Sequence, residues 1–364
     1  MRNTKIRLAA GTALSLIIAG NALADGTPAG QAVNNTATVG YSVGGVNQAN
    51  VSSNTATFLV DRRVSLSVAE LGGNSTAVAP GSASQVTTFT VTNTTNGPLD
   101  FRLTAAQDAN GASTAFADTD SFDLTNIRIF VDANGNGVYE PGTDTETYID
   151  ALGADQTRTI FVVADIPAGQ PDGATAGATL TAIAAESAGS GSLGSDVTQT
   201  AGADTPGSVD TVFGDAAGDT DAARDGRFSD DDEYDVVSAT VALVKTSRVV
   251  SDPFNGTTNP KAIPGAVIEY CLEIRNTGSA AATGTVVSDA VPVNTTYQAG
   301  SIFAAGTATS GVCNADGTAE DDNATGADES DPNGANYTGT TVTVSMPNVA
   351  AGANLAARFR AVVN

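Results

Sequence analysis

The 364-residue chain carries 40 acidic residues against 16 basic ones and no histidine, giving a net charge of −24. So negative a protein repels nucleic acid and anionic membranes, and without histidine it has no serine triad, histidine-ligated zinc or histidine acid–base pair. A glycosidase with two catalytic carboxylates stays compatible with the composition, but with no Trp and 5% aromatic residues there is little to stack on sugar rings, so a non-enzymatic protein is expected.

The chain opens as a secretory signal peptide over residues 1–24. Arg2, Lys5 and Arg7 precede an apolar run, and Ala22-Leu23-Ala24 has the small-x-small cleavage form. The run is too short to remain as a membrane anchor, and no second long apolar stretch follows. The expectation is a secreted protein, extracellular or on the outer cell surface, with no integral membrane segment after cleavage. Residues 25–60 predict an N-terminal β-hairpin. Asn35-Thr36-Ala37-Thr38-Val39 recurs as Asn54-Thr55-Ala56-Thr57-Phe58, with Gly44-Gly45 between the copies as a tight turn.

Residues 61–187 predict a first β-sandwich. Val64, Leu66 and Val68 alternate with polar residues, as do Phe89 and Val91, while residues 160–163 form a continuous apolar run suited to a strand covered on both faces. Within this unit, residues 127–144 read IRIFVDANGNGVYEPGTD. Asp132, Asn134 and Asn136 fall at alternate positions, Gly137 follows, and Glu140 and Asp144 come later. Hard cations take six to eight oxygens, and this spacing curls several side chains, with the Val138 carbonyl, around one point. The expected ion is Ca²⁺. The pattern departs from a helix–loop–helix site, because Thr143 stands where a bidentate Glu would be and no flanking helices are predicted. A β-hairpin loop holding an oxygen cage is expected, with an ion-free Asn-Gly turn as the alternative.

Residues 188–235 are rich in Gly, Ser and Asp and include Asp230-Asp231-Asp232-Glu233. They read as an acidic linker or loop, with an edge strand near residues 209–213; a solvated loop is favoured there over a second calcium site. Residues 236–364 predict a second β-sandwich. Ile268, Tyr270, Leu272 and Ile274 share one face of a strand, and Glu269, Cys271 and Glu273 the other. Cys271 and Cys313 are the only cysteines, an even pair in an exported chain, and predict a disulfide fastening the acidic loop of residues 304–336 to the outer face of that strand.

From Ala242 onward the chain resembles a bacterial surface-protein repeat, the eleventh domain-of-unknown-function family. The resemblance rests on Lys245-Thr246, Pro264-Gly265 before a strand, Asn276-Thr277-Gly278, and Asp289 leading to Pro292. It implies an immunoglobulin-like sandwich with no assigned activity. Some sandwiches similar to this one join Lys to Asn through an amide beside a buried acid; Lys245, Asn364 and Glu269 are the candidates here, with an exposed Lys245 as the plainer reading. The expected fold class is all-β: tandem immunoglobulin-like β-sandwiches preceded by a β-hairpin. The expected function is structural, at the bacterial surface or in the matrix, with self-pairing into a homo-oligomer or filament. The alternative is an adhesin that binds a surface glycan or protein through the loops of the second sandwich.

Overall fold

The computed structural model describes residues 26–187, 189, 191–325, 329 and 332–364; the expected signal peptide lies outside them. The fold is all-β, and among the described residues there is no α-helix and so none long and apolar enough to cross a membrane. The chain forms two compact units. One comprises the described residues up to Thr76 with Ala83–Asp165 and Thr175–Tyr234; the other comprises Ala77–Ser82, Ile166–Ala174 and Asp235–Asn364.

The first unit begins with the expected hairpin. Ala32–Asn35 pairs with Ala56–Leu59, Thr38–Val39 with Val51–Ser52, and Ser42–Val43 with Val46–Asn47. Gly44 and Gly45 turn the chain at φ +61° and +84°, the two left-handed positions that a two-residue hairpin turn needs. Beyond it lies a four-stranded antiparallel sheet in the order Thr125–Val131, Thr157–Asp165, Gln85–Asn93, Leu66–Glu70. A larger sheet places Tyr148–Leu152, Leu99–Gln107, Thr175–Ser187 and Arg227–Val236 side by side, with Leu193–Asp196 added to Thr175–Ser187.

Period-two alternation puts Phe89 and Val91 from one sheet and Phe101 and Leu103 from the other into the core, and residues 160–163 are buried on both faces as expected. Tyr234 is fully buried and spans the space between the sheets, its hydroxyl donating to the Val162 carbonyl at 3.1 Å. The partner that a buried phenol requires is thus supplied by backbone.

One expectation is corrected here. Residues 188–235 are only in part the expected acidic linker or loop with an edge strand: much of the range is loop and Thr211–Phe213 does pair, in parallel, with Arg62–Val64, but Arg227–Val236 is a strand of the larger sheet. Tyr234 and Val236 supply the inward apolar side chains. The acidic run masks them, because Asp232 and Glu233 are themselves buried rather than solvated.

The second unit is also built around two main sheets, with Ala308–Thr309 and Val312–Cys313 forming a further two-stranded one. Its larger sheet runs Val241–Ser251, Val267–Asn276, Asn354–Val363, Phe303–Gly306, Thr318–Ala319, and its smaller one Ala282–Ala290, Thr341–Val349, Gly334–Tyr337. Leu272, Ile274, Ile302, Val342, Val344 and Phe359 fill the space between them.

The same hydrogen-bonded strand ending recurs, group for group, within each unit. Asn93 ends its strand fully buried, and its amide Nδ2 donates to the carbonyls of Gly97, Leu152 and Gly153 at 3.0, 2.9 and 3.2 Å. Asn276 does the same toward Ala280, Val349 and Ala350 at 2.8, 3.0 and 3.2 Å. Each Oδ1 accepts the N–H two residues on, from Thr95 and Gly278 respectively. A buried amide that satisfies several backbone groups at once is costly to replace. It also explains Asn276-Thr277-Gly278 as a strand-ending turn.

Candidate metal centre

The strand Thr125–Val131 runs out at Val131, and the chain immediately tucks Asp132 inside, at 1% exposure. Its Oδ1 accepts the Gly135 N–H at 2.7 Å and its Oδ2 the Gly137 N–H at 2.8 Å. Gly135 and Gly137 sit at φ +74° and +73°, so the chain curls around the carboxylate through two left-handed positions. Asn134 and Asn136 build successive side-chain turns, their Oδ1 atoms accepting the N–H of Asn136 and Val138 at 3.0 and 2.8 Å.

Asp144, also at 1% exposure, closes the loop from its far end, accepting the N–H of Ala133 at 3.0 Å and of Glu140 at 2.7 Å. The Glu140 carboxylate takes the amides of Asn134 and Asn136 at 2.6 and 3.0 Å. Two buried carboxylates therefore satisfy four backbone donors that the curl would otherwise leave open. Tyr139 fastens the loop to the sheet, its ring stacked on Phe130 at 5.0 Å and tilted against Phe161 at 5.8 Å.

Asn134 and Asn136 thus meet the Glu140 carboxylate, and Asp132 and Asp144 each bind backbone N–H groups of the same loop, but the carboxylate oxygens of Asp132, Glu140 and Asp144 do not all lie within 4.8 Å of one another; the Val138 side chain is exposed and its N–H serves the loop. A carboxylate oxygen has two lone pairs, so accepting one N–H leaves one for a cation. The donor set is all oxygen, which suits a hard divalent ion. The expected hairpin setting is corrected: Thr125–Val131 belongs to the four-stranded sheet and the next strand, Tyr148–Leu152, to the larger one. The loop is a crossover between facing sheets, and a small cavity of about 110 Å³ lined by Asp132, Glu146, Asp150 and Arg158 adjoins it.

A second group of carboxylates escaped sequence reasoning. Oxygens of Asp61, Asp204 and Asp210 lie within 4.8 Å of one another. Asp61 Oδ1 accepts the Asp210 N–H at 2.9 Å, and Asp210 Oδ2 the Thr205 N–H at 2.8 Å. No local motif announces residues this far apart in the chain; parallel pairing of Arg62–Val64 with Thr211–Phe213 gathers them.

In the second unit Cys271 and Cys313 are disulfide-bonded. Both are 4% exposed and pack with Ala356 and Ala308, apart from the inter-sheet core, so the crosslink lies on the outer face as expected. Lys245, Glu269 and Asn364 are not brought together. Lys245 stands opposite Leu272 in register, and residues opposite each other share a face, whereas Glu269 faces the other way with Cys271. Lys245 instead pairs with Asp289 at 2.7 Å and lies over the Tyr270 ring, and Asn364 Oδ1 accepts the Thr296 hydroxyl. Glu269, at 1% exposure, is held by Arg248, Arg358 and Arg360 at 2.6, 3.2 and 2.9 Å. Burial raises its pKa, but the hydrogen bonds and charges of Arg248 and Arg360 outweigh that and hold the carboxyl below its ordinary value.

No family model and no curated protein matches the chain. Among solved structures, a Corynebacterium diphtheriae protein provisionally described as membrane-anchored is similar to it, with a TM-score of 0.20 and 10% identity over 92% of this chain and 89% of that one.

Proposed function

We propose that the chain is a non-enzymatic, exported structural protein of the bacterial surface or extracellular matrix, which assembles with copies of itself through its N-terminal hairpin. The observation that carries this reading is the hairpin's exposure: Val39, Tyr41, Val43, Val46, Val51 and Phe58, on or between its short strands, are 51–66% exposed. Apolar side chains and free strand edges in one place favour pairing with another chain.

Export is supported by the signal-like start and by a disulfide, which persists in oxidising compartments. The repeat resemblance of residues 242–364 belongs to the same reading. Ca²⁺ at Asp132, Asn134, Asn136, Glu140 and Asp144 would stiffen the first unit, holding its crossover loop closed and performing no chemistry. The absence of histidine and the scarcity of aromatic residues support a role without catalysis.

Sedimentation and negative-stain imaging of the mature chain, with and without Ca²⁺, test the assembly. The parent protein should form oligomers that Val43→Asp/Phe58→Asp abolishes. A parent that stays monomeric in both conditions refutes the proposal.

A further inference from the structure

The larger sheet of the first unit carries carboxylates that the crossover loop does not use. Asp120 is 2% exposed, and its Oδ1 is buried without a hydrogen-bond partner. Its other oxygen accepts the Gly177 N–H at 2.9 Å. Asp108 approaches the same glycine: a Cβ built on Gly177 would lie 2.1 Å from Asp108 Oδ2, so a side chain at this position would push the carboxylate aside. Asp108 Oδ1 accepts the Thr179 hydroxyl at 2.8 Å, which leaves Oδ2 against Gly177, and the Asp108 charge lies close enough to act on Asp120.

Two carboxylates thus converge on one backbone position, and one has a buried oxygen unanswered. Asp219 and Asp231 add negative charge close enough to act on Asp108 and on each other. No lysine or arginine among the described residues pairs with any of the four. An unpaired buried carboxylate oxygen is expensive unless a proton or a cation answers it.

We propose that Asp108 and Asp120 form a second divalent-cation site, separate from the crossover loop, in which the unpartnered Oδ1 of Asp120 and Oδ2 of Asp108 ligate Ca²⁺. Asp219 and Asp231 supply the field that draws the ion in, and Gly177 provides the space. With two carboxylates and the remaining positions left to water, the affinity belongs in the weak extracellular range of about 10⁻⁴–10⁻³ M.

Calorimetric titration of Ca²⁺ into chelator-treated mature protein, its Asp132→Ala variant and its Asp108→Asn/Asp120→Asn variant tests this. The double variant should lose one weak binding step that Asp132→Ala retains. If the double variant titrates as the parent does, the site is refuted whatever Asp132→Ala shows; if only the double variant loses binding, the crossover-loop reading fails and this one stands. A melting experiment separates ligation from a merely structural role. In EDTA the double variant, relieved of repulsion, should melt above the parent and gain less from added Ca²⁺; a variant that melts lower and gains as much overturns the proposal.

Discussion

Asp144 reaches back along the crossover loop to accept the N–H of Ala133 at 3.0 Å, next to the buried Asp132 where the loop begins. The same carboxylate takes the Glu140 N–H at 2.7 Å, so one side chain binds both the start and the end of the loop. Hydrogen bonds to ionised acceptors are worth more than neutral ones. Asp144→Ala should therefore destabilise the first unit by about 2–3 kcal/mol, with Asp144→Asn losing less. Urea unfolding in chelator measures both, and equal stability for Asp144→Ala and the parent would remove this role.

Ca²⁺ should stabilise the first unit by mass action. An ion at about a hundred times its Kd adds roughly 2.7 kcal/mol. Asp132→Ala should be less stable than the parent in chelator, and the gain from Ca²⁺ should shrink. The midpoint of thermal unfolding with Ca²⁺ and with EDTA gives both numbers; an Asp132→Ala gain equal to the parent's would place the ion elsewhere.

Reducing Cys271–Cys313, whose partners are 42 residues apart, should weaken the second unit by about 2–4 kcal/mol. Hydrogen exchange with and without reductant should show faster opening of Val267–Asn276 and Asn354–Val363 and no change at Gln85–Asn93. Unchanged exchange in the second unit would mean that the crosslink is dispensable.

The two units should respond to pH in different windows. In the second, backbone and side-chain hydrogen bonds from Asn255 hold the Asp252 carboxyl down to about 2, and Glu269 is likewise depressed, since Arg248 and Arg360 outweigh its burial. A carboxyl depressed by folding stabilises the fold above its unfolded pKa and ceases to as the pH falls through its folded value. The second unit should therefore weaken between about pH 4 and pH 2. In the first, burial and then the charges of Asp219 and Asp108 push Asp231 up to about 6. Burial, against the Glu233 N–H and with the charge of Glu70, pushes Asp232 up to about 7. A carboxyl raised by folding costs stability as the pH climbs from its unfolded value through its folded one, so in chelator the first unit should be firmer at about pH 5 than at about pH 8. Hydrogen exchange corrected for intrinsic rates resolves the two units; a first unit no firmer at about pH 5 than at about pH 8, or a second unit unchanged between about pH 4 and pH 2, would contradict the assignment.

Much of this was legible from alternation alone. Phe89 and Val91, and Leu272 and Ile274, pointed to their cores because a strand leaves no choice about which side chains share a face. The alternate spacing of Asp132, Asn134 and Asn136 likewise announced the loop. What it connects did not show, since nothing local says which sheet Tyr148–Leu152 joins. The strand Arg227–Val236 hid behind its acidic residues: burial of Asp232 and Glu233 depends on the sheet around them, not on their own polarity. Glu269 could have served as the acid beside a Lys245–Asn364 amide, but the register puts it on the opposite face from Lys245 and leaves the plainer reading of an exposed lysine.

The paired asparagines, Asn93 and Asn276, carry a consequence for how the molecule ages. Each presents an amide to three carbonyl oxygens. Deamidation would turn that donor into an anion facing the same three oxygens, changing attraction into repulsion without altering the side chain's size. One hydrolytic event at Asn93 or Asn276 would thus unlatch a single module and leave its twin shut, a slow clock written into a molecule made to last.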